Sequence, residues 1–173
     1  MKNVCLIFFI FVTTIFSKEV IIDSIIFNNI DGLFYEKGSK EPFSGLAIKK
    51  NEDGNISILW EYKDGKNHGI GKNFYENGNI KFYGEFENGV PHGTIKEYDI
   101  KGVIFLEENF KNGILDGEKK EFYDNGNIKN LETYKDGFLN GARISYDENG
   151  NIKVKEIYDY DEVIESEIWP EKK

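Results

Sequence analysis

The sequence repeats with a period of 24 residues, and no other feature limits the possible fold as strongly. Glycines fall in three columns at this spacing, and the columns hold 14 of the 18 glycines in the chain. The first column is Gly45, Gly69, Gly93, Gly117 and Gly141, the second is Gly54, Gly78, Gly102, Gly126 and Gly150, and the third is Gly65, Gly89, Gly113 and Gly137. Because the columns continue without an insertion, we predict five tandem units over residues 45–164.

Turn signals divide each unit into two short strands. Pairs such as Asn77-Gly78 are typical of hairpin turns, because both residue types tolerate the positive φ that tight turns require. Pairs such as Asp64-Gly65 predict a second, longer loop that ends at the next first-column glycine. Between the turns lie stretches of about seven residues, a usual strand length. The pattern therefore predicts one β-hairpin per unit.

Side chains in the strand after each Asn-Gly turn alternate between the two faces of the predicted sheet. In the second unit we expect Ile80, Phe82 and Phe86 on one face, with Tyr83 and Glu85 on the other. The mostly apolar face is interrupted at every unit, at Trp60, Gly84, Glu108, Glu132 and Glu156.

The register at the Asn-Gly turns has two solutions. A two-residue turn at Asn77-Gly78 would send Phe74 to the face opposite Ile80. A three-residue turn with Gly78 as a bulge would put Phe74 on the face of Ile80. We prefer the second, because the Phe74 column is aromatic in four of the five units.

Stacked hairpins predict an all-β fold, a single-layer antiparallel meander of tandem 24-residue repeats that forms an elongated ribbon without a second layer. At about 4.8 Å between strands, ten strands would span about 48 Å. The open ends of such a ribbon need protection. We expect residues 18–44 to form an N-terminal lead-in and cap, and residues 165–173 to form a C-terminal cap or tail.

Residues 1–17 have the outline of a secretory signal peptide, with Lys2 followed by an apolar or threonine run from Val4 to Phe16. This run is shorter than the roughly 20 residues that a membrane-spanning helix needs. Cleavage after Ser17 would remove Cys5, which is the one cysteine. We therefore expect an exported protein, periplasmic, secreted or at the outer surface, that folds without disulfides.

Composition excludes several classes of function. The formal net charge of -9 argues against nucleic acid and against direct binding to an anionic membrane, since both need clustered lysine and arginine. The two histidines, His68 and His92, lie one unit apart and are read as turn residues, too far from each other to share a zinc ion. We predict no cofactor, no metal and no catalytic residue.

The row of Glu108, Glu132 and Glu156 offers one enzymatic alternative, because glycosidases use two carboxylates about 5 to 9.5 Å apart. A single-layer ribbon, however, lacks a deep pocket that would raise one carboxyl pKa and exclude water. A solvated or weakly paired row of carboxylates is the favoured interpretation. A polysaccharide-active enzyme is the less favoured one.

Two segments, YENGNIKFYGEFENGVPHG and FYDNGNIKNLETYKDGFLNG, resemble the bacterial variant of the MORN repeat, and the resemblance covers residues 45–164. The lead-in GLFYEKGSKEPFSG also looks like segments that precede such arrays. The resemblance implies a binding or scaffolding module; some such proteins contact lipid headgroups and some bacterial members are labelled antitoxins. In the third unit Ile100-Lys101-Gly102-Val103 replaces the expected Asn-Gly-Asn, so we expect its turn to differ.

Recognition on one face of the ribbon is the remaining function. The candidate exposed residues are Tyr83, Glu85, Glu107 and Leu131, which mix charge with apolar groups. We expect an exported, non-enzymatic module that binds a protein or glycan partner through this face. The alternative is an antitoxin-like partner that neutralises a co-expressed toxin.

Overall fold

The computed structural model describes residues 19–169. The predicted signal peptide therefore lies outside the described residues. Within them the chain forms fourteen strands and a short 3-10 helix at Ile22–Ser24. The strands are β1 (Glu19–Ile21), β2 (Ile25–Asn28), β3 (Leu33–Glu36), β4 (Gly45–Lys50), β5 (Ile56–Lys63), β6 (Lys66–Phe74), β7 (Ile80–Glu87), β8 (Val90–Tyr98), β9 (Ile104–Lys111), β10 (Ile114–Phe122), β11 (Ile128–Lys135), β12 (Phe138–Tyr146), β13 (Ile152–Asp159) and β14 (Glu162–Ile168).

Twelve strands form one open sheet in the order β1-β4-β5 and then consecutively to β14, while β2 and β3 form a separate hairpin. The predicted meander of hairpins is confirmed, and each strand from β5 to β13 pairs with its two neighbours in sequence. The sheet is not purely antiparallel, however, because β1 pairs with β4 in parallel. It also has twelve strands instead of the ten predicted, because β1 and β14 add one strand at each end.

The loops between hairpins are two-residue turns, shorter than predicted. In the first of them Asp64 has φ 49° and Gly65 has φ 74°, which is the pair of positive values that a type I′ turn requires. The last turn keeps this conformation without glycine, since Tyr160 and Asp161 have φ 46° and 67°. The repeat geometry thus continues past Asp161, and the predicted boundary at residue 164 falls inside β14.

The Asn-Gly turns have the preferred three-residue form. Tyr75 N–H donates to Asn79 O over 2.9 Å, and Gly78 is the bulge residue with φ 86°. The third unit makes the same backbone turn, with Gly102 at φ 86° and Asp99 N–H donating to Val103 O, so the expected difference there is wrong for the backbone.

A second bulge follows each Asn-Gly turn and changes the predicted faces. Phe74 pairs with Ile80, as expected, but the adjacent Asn73 pairs with Phe82, which leaves Lys81 as an extra residue. Because paired residues share a face and successive residues alternate, Phe82 lies on the face opposite Ile80. The predicted grouping of Ile80 with Phe82 and Phe86 is therefore wrong, whereas the separation of Phe82 from Tyr83 is correct.

The sheet has two faces, which we name by one residue each. The Trp60 face carries, from strand to strand, the paired residues Ala47, Trp60, Gly71, Gly84, Ile95, Glu108, Lys119, Glu132, Arg143, Glu156 and Ser166. The Tyr83 face carries the neighbouring row Lys72, Tyr83, Lys96, Glu107, Lys120, Leu131 and Ile144. Each row crosses the strands at right angles, so its members are close in space although they are far apart in sequence.

The core lies at the N-terminal end of the Trp60 face. Phe43, Ala47 and Tyr62 are buried there, and Phe34 packs its ring against Tyr62 at 5.0 Å between centroids. Phe34 belongs to β3, so the lead-in supplies a second layer at this end, and the expectation of a ribbon without one is wrong here. Further along, the Trp60 ring stacks on Phe82 at 5.9 Å and an interplanar angle of 10°.

The lead-in also continues the hydrogen-bond pattern of the repeats. Gly89 N–H donates to Asn67 O, and Gly113 N–H donates to Pro91 O, so successive turns are linked at the same position. Gly65 N–H makes the equivalent bond to Phe43 O over 2.8 Å, and Phe43 precedes Asn67 by one period. The segment before the first unit therefore satisfies the first turn as a preceding repeat would.

Candidate binding surfaces

The four residues predicted to bind a partner lie together on the Tyr83 face. Tyr83, Glu107 and Leu131 belong to one row, in which Lys96 and Lys120 separate them. Glu85 lies two residues beyond Tyr83 on the same face of β7. All four side chains are half-buried rather than exposed.

Lysines neutralise this row from both sides of Glu107. Lys96 Nζ lies 3.0 Å from Glu107 Oε2, and Lys120 Nζ lies 3.8 Å from Glu107 Oε1. The hydrogen bond to Glu107 raises the pKa of Lys96, and a bond to Glu118 does the same for Lys120. The row therefore presents fixed positive and negative groups at strand spacing. Sequence reasoning missed the lysines, although Lys72, Lys96 and Lys120 themselves recur every 24 residues.

Tyr83 and Glu85 act on each other and on the backbone. The Tyr83 hydroxyl donates to Glu85 Oε1 over 2.7 Å, and this bond raises the pKa of Tyr83 to about 12. The other oxygen of Glu85 accepts the backbone N–H of Thr94 over 3.1 Å. Glu85 therefore holds the neighbouring strand β8 at the point where its register with β7 shifts.

Glycine in the first column makes room for this carboxylate. A Cβ on Gly93 would collide with Glu85 Oε2, and a Cβ on Gly69 would collide with Glu61 Oε2. Glu61 Oε2 accepts the N–H of Ile70, as Glu85 accepts that of Thr94. The same packing recurs with smaller side chains, Asn109 against Gly117 and Thr133 against Gly141. The first glycine column thus has a packing role that the sequence pattern alone did not reveal.

The carboxylate row of Glu108, Glu132 and Glu156 lies on the Trp60 face and is held by cations. Lys119 Nζ is 3.3 Å from Glu108 Oε1, and Arg143 bridges Glu132 and Glu156 at 3.3 and 3.6 Å. The Tyr134 hydroxyl donates to Glu132 Oε2 over 3.0 Å. Burial and this bond raise the pKa of Tyr134 to about 12. The row is ion-paired, which agrees with the favoured interpretation over the enzymatic one.

The two histidines lie in strands rather than in turns, because the two-residue turns close before them. His68 in β6 and His92 in β8 both line a depression of about 400 Å³ together with Tyr83, Glu85, Phe86 and Glu87. His92 Nδ1 lies 3.5 Å from Glu87 Oε2 and 3.2 Å from Asn112 Oδ1. In residues 19–169 no three side chains of the metal-binding types come close enough to hold an ion.

Side chains of the Asn-Gly turns link one hairpin to the next. Tyr75 Oη donates to Tyr98 O, and both Asn77 and Asn79 donate through Nδ2 to Ile100 O. The fourth unit repeats all three bonds, from Tyr123, Asn125 and Asn127 to the carbonyls of Tyr146 and Glu148. The asparagines thus have a second function besides permitting the turn.

The family comparison follows the hairpins. The family model described as MORN repeat variant matches residues 67–88, 115–136 and 139–160, which correspond to the hairpins β6–β7, β10–β11 and β12–β13. These three hairpins are similar to MORN repeats. MORN repeats are commonly binding or scaffold modules and are generally not enzymes. No curated protein matches the chain. No helix within residues 19–169 is long and apolar enough to cross a membrane.

Proposed function

We propose that this MORN-repeat chain is an exported, non-enzymatic binding or scaffold module, and that it recognises a protein through the Tyr83 face. The row from Lys72 to Leu131 is the observation that supports this proposal. It places lysines that alternate with tyrosine and glutamate on five consecutive strands, β6 to β10, and ends with the leucine on β11. A charged protein surface fits such a pattern, since opposite charges at fixed spacing set orientation and register.

A protein fits this row better than a glycan does. Sugar rings usually stack on open aromatic faces, but Lys72 Nζ lies 5.7 Å from the centroid of the Tyr83 ring and occupies that position. The charges of Lys96, Glu107 and Lys120 are held by one another and are therefore already oriented. A partner would find these groups preorganised, which lowers the entropic cost of binding.

Three observations support a role without catalysis. The carboxylates that an enzyme would use are ion-paired with Lys119 and Arg143. Three surface depressions, of about 350, 400 and 640 Å³, are lined by residues other than Glu108, Glu132 and Glu156. No aspartate, glutamate, lysine, arginine or histidine residue is buried in residues 19–169, so none of these groups has the desolvated surroundings that are typical of a catalytic acid or base.

Residues 1–17 support export, because their charge and apolar run follow the pattern of a signal peptide. Expression of the full chain in a bacterial host, followed by fractionation and mass determination, tests this part. The expected result is an exported protein whose mass corresponds to a chain that begins at Lys18. A cytoplasmic protein that retains Met1, found only in a tight complex with the product of a neighbouring gene, would instead favour the antitoxin-like alternative.

The recognition face is tested with two single variants of adjacent lysines. Lys120→Glu places repulsion beside Glu107 on the Tyr83 face, whereas Lys119→Glu makes an equal charge change on the Trp60 face. Partners captured from cell-surface extracts by the wild type are identified and titrated against both variants. Weaker binding by Lys120→Glu alone is expected. Equal loss in both variants, or capture of glycan without protein, would contradict the proposal.

A further inference from the structure

The outer edge of β14 is an unpaired strand edge within residues 19–169. Strand β14 is last in the twelve-stranded order and pairs with β13 on one side. Trp169 N–H donates to Lys153 O, so the N–H and C=O groups of Ser166 and Ile168 point away from β13 by alternation. These four backbone groups have the geometry that a further strand would need.

The two ends of the sheet differ in length and covering. Strand β1 has three residues and is followed by the 3-10 helix, which packs beside β4. Strand β14 has seven residues, and each of them is exposed. Ile164 and Ile168 are 66% and 75% exposed, and Trp169 after the strand is 40% exposed. The C-terminal edge is thus open over seven residues, with a bulge at Ile164 and with exposed isoleucine side chains on either side of Glu165 and Glu167.

The charge of β14 selects among possible occupants. The strand contains Glu162, Glu165 and Glu167 and has no lysine or arginine. A second copy paired edge to edge would bring glutamates close to glutamates, and like charges opposite each other destabilise a strand pair. A strand with lysine or arginine at alternate positions would place opposite charges there instead.

We propose that β14 accepts an extended, basic segment of a partner protein, which adds to the sheet as a further antiparallel or parallel strand. Main-chain bonds to Ser166 and Ile168 would give affinity, and the glutamates would select basic side chains. Glu167 lies at the far end of the Tyr83 face, three strands beyond Leu131. A variant in the row from Lys72 to Leu131 and a variant in β14 can therefore fail independently.

The probe is a synthetic peptide of about eight alternating valine and lysine residues, the length of a usual strand, added to the mature chain. We expect a saturable change in Trp169 fluorescence that weakens as salt is raised, together with new amide protection at Ser166 and Ile168. A matched peptide with glutamate in place of lysine should not bind. The Lys120→Glu variant, altered on the Tyr83 face, should bind the peptide as the wild type does.

Two variants test the mechanism. Ser166→Pro removes one outward N–H and should weaken peptide binding by about 2- to 10-fold, the equivalent of one hydrogen bond, while Ser166→Ala should not. Because Ser166→Pro could also disturb β14 itself, Glu165→Lys combined with Glu167→Lys provides a second test and should reverse the preference toward the glutamate peptide. Equal binding of both peptides by the wild type, no binding of either, or a β14-dependent homodimer in sedimentation would overturn the proposal.

Discussion

The packing of Glu85 on Gly93 leads to the most specific prediction for this fold. Gly93 has φ 111°, and a Cβ at this position would collide with Glu85 Oε2, which accepts the Thr94 N–H. Gly78 has φ 86° and nothing within 4 Å of its ideal Cβ. The two glycines therefore separate two effects, since both carry left-handed strain but only Gly93 carries the collision.

The expected costs follow from these contacts. An alanine in a left-handed conformation costs about 1–2 kcal/mol, which is the full expectation for Gly78→Ala. Gly93→Ala adds the loss of a hydrogen bond to a charged acceptor, about 1.5–3 kcal/mol. Because Glu85 is only half-buried, we take the lower part of that range. We therefore expect Gly93→Ala to lower the free energy of unfolding by about 3 kcal/mol, roughly twice the cost at Gly78.

Urea unfolding provides the assay, with Trp60 fluorescence as the local signal because its ring centroid lies 5.0 Å from that of Phe86 on β7. Circular dichroism at the same urea concentrations checks that unfolding is two-state. In a Glu85→Ala background, Gly93→Ala should cost no more than Gly78→Ala, which gives a coupling of about 1.5 kcal/mol in the double-mutant cycle. Equal costs for the two glycines, or additivity in the cycle, would refute the packing explanation.

Three further predictions follow from the same contacts. Asn77→Ala removes the bond to Ile100 O and the bond that Asn77 Oδ1 accepts from the Asn79 N–H, and it should cost about 1 kcal/mol by urea unfolding. Asp53→Ala, at the equivalent turn position, should stay within about 0.5 kcal/mol. Equal costs would contradict a stabilising role for the Asn77 side chain. Tyr83 and Tyr134 have pKa values of about 12 in the folded chain, against an ordinary value of 10.0. Their deprotonation, followed by tyrosinate absorbance, should therefore occur at a higher pH than that of an ordinary tyrosine. Since a raised pKa in the folded chain favours the protonated hydroxyl, the stabilisation that these tyrosines provide is complete below pH 10 and is lost as the pH rises through about 12. Tyr83→Phe should remove the deprotonation step near pH 12 that belongs to this residue. Titration of both tyrosines at the ordinary pKa would show that the hydroxyl bonds do not form. Amide hydrogen exchange should be slowest in β4 to β8 and fastest in β14, because the buried side chains all lie in or beside the first part of the sheet. These side chains are Phe43, Ala47, Ile48, Tyr62 and Ile95. Uniform protection along the sheet would contradict this gradient.

The repeat could be read from the sequence because each glycine column answers a backbone requirement that few other residues meet. Gly65 and Gly78 sit at positive φ in turns, and the period fixes which strands are neighbours. The faces of Phe82 and Tyr83 followed from alternation for the same reason. These parts of the fold depend on local conformation, so a single sequence contains the information.

Other features depend on residues from different units and were missed. The bulge at Lys81 moves Ile80 to the other face, yet Ile80 and Phe82 are both apolar and alternation cannot show that a residue has been inserted. The turn at Tyr160 and Asp161 has the backbone conformation of the Asp-Gly turns but contains no glycine, so the predicted repeats ended at residue 164, inside β14. The lysines beside Glu107 were recoverable, because they form a column of their own at the repeat period.

The composition of the Trp60 face explains why so little of this protein is buried. Its middle row is apolar or small up to Ile95, and from Glu108 onward it alternates acidic and basic residues as far as Glu156. The change occurs beyond the reach of the N-terminal layer, whose rings cover the face only around Tyr62. An exposed apolar row in the second half would invite aggregation, whereas paired charges keep the face in water. The later repeats are therefore held mainly by strand pairing with their neighbours, which makes the sequential stacking of hairpins a condition of stability for this chain.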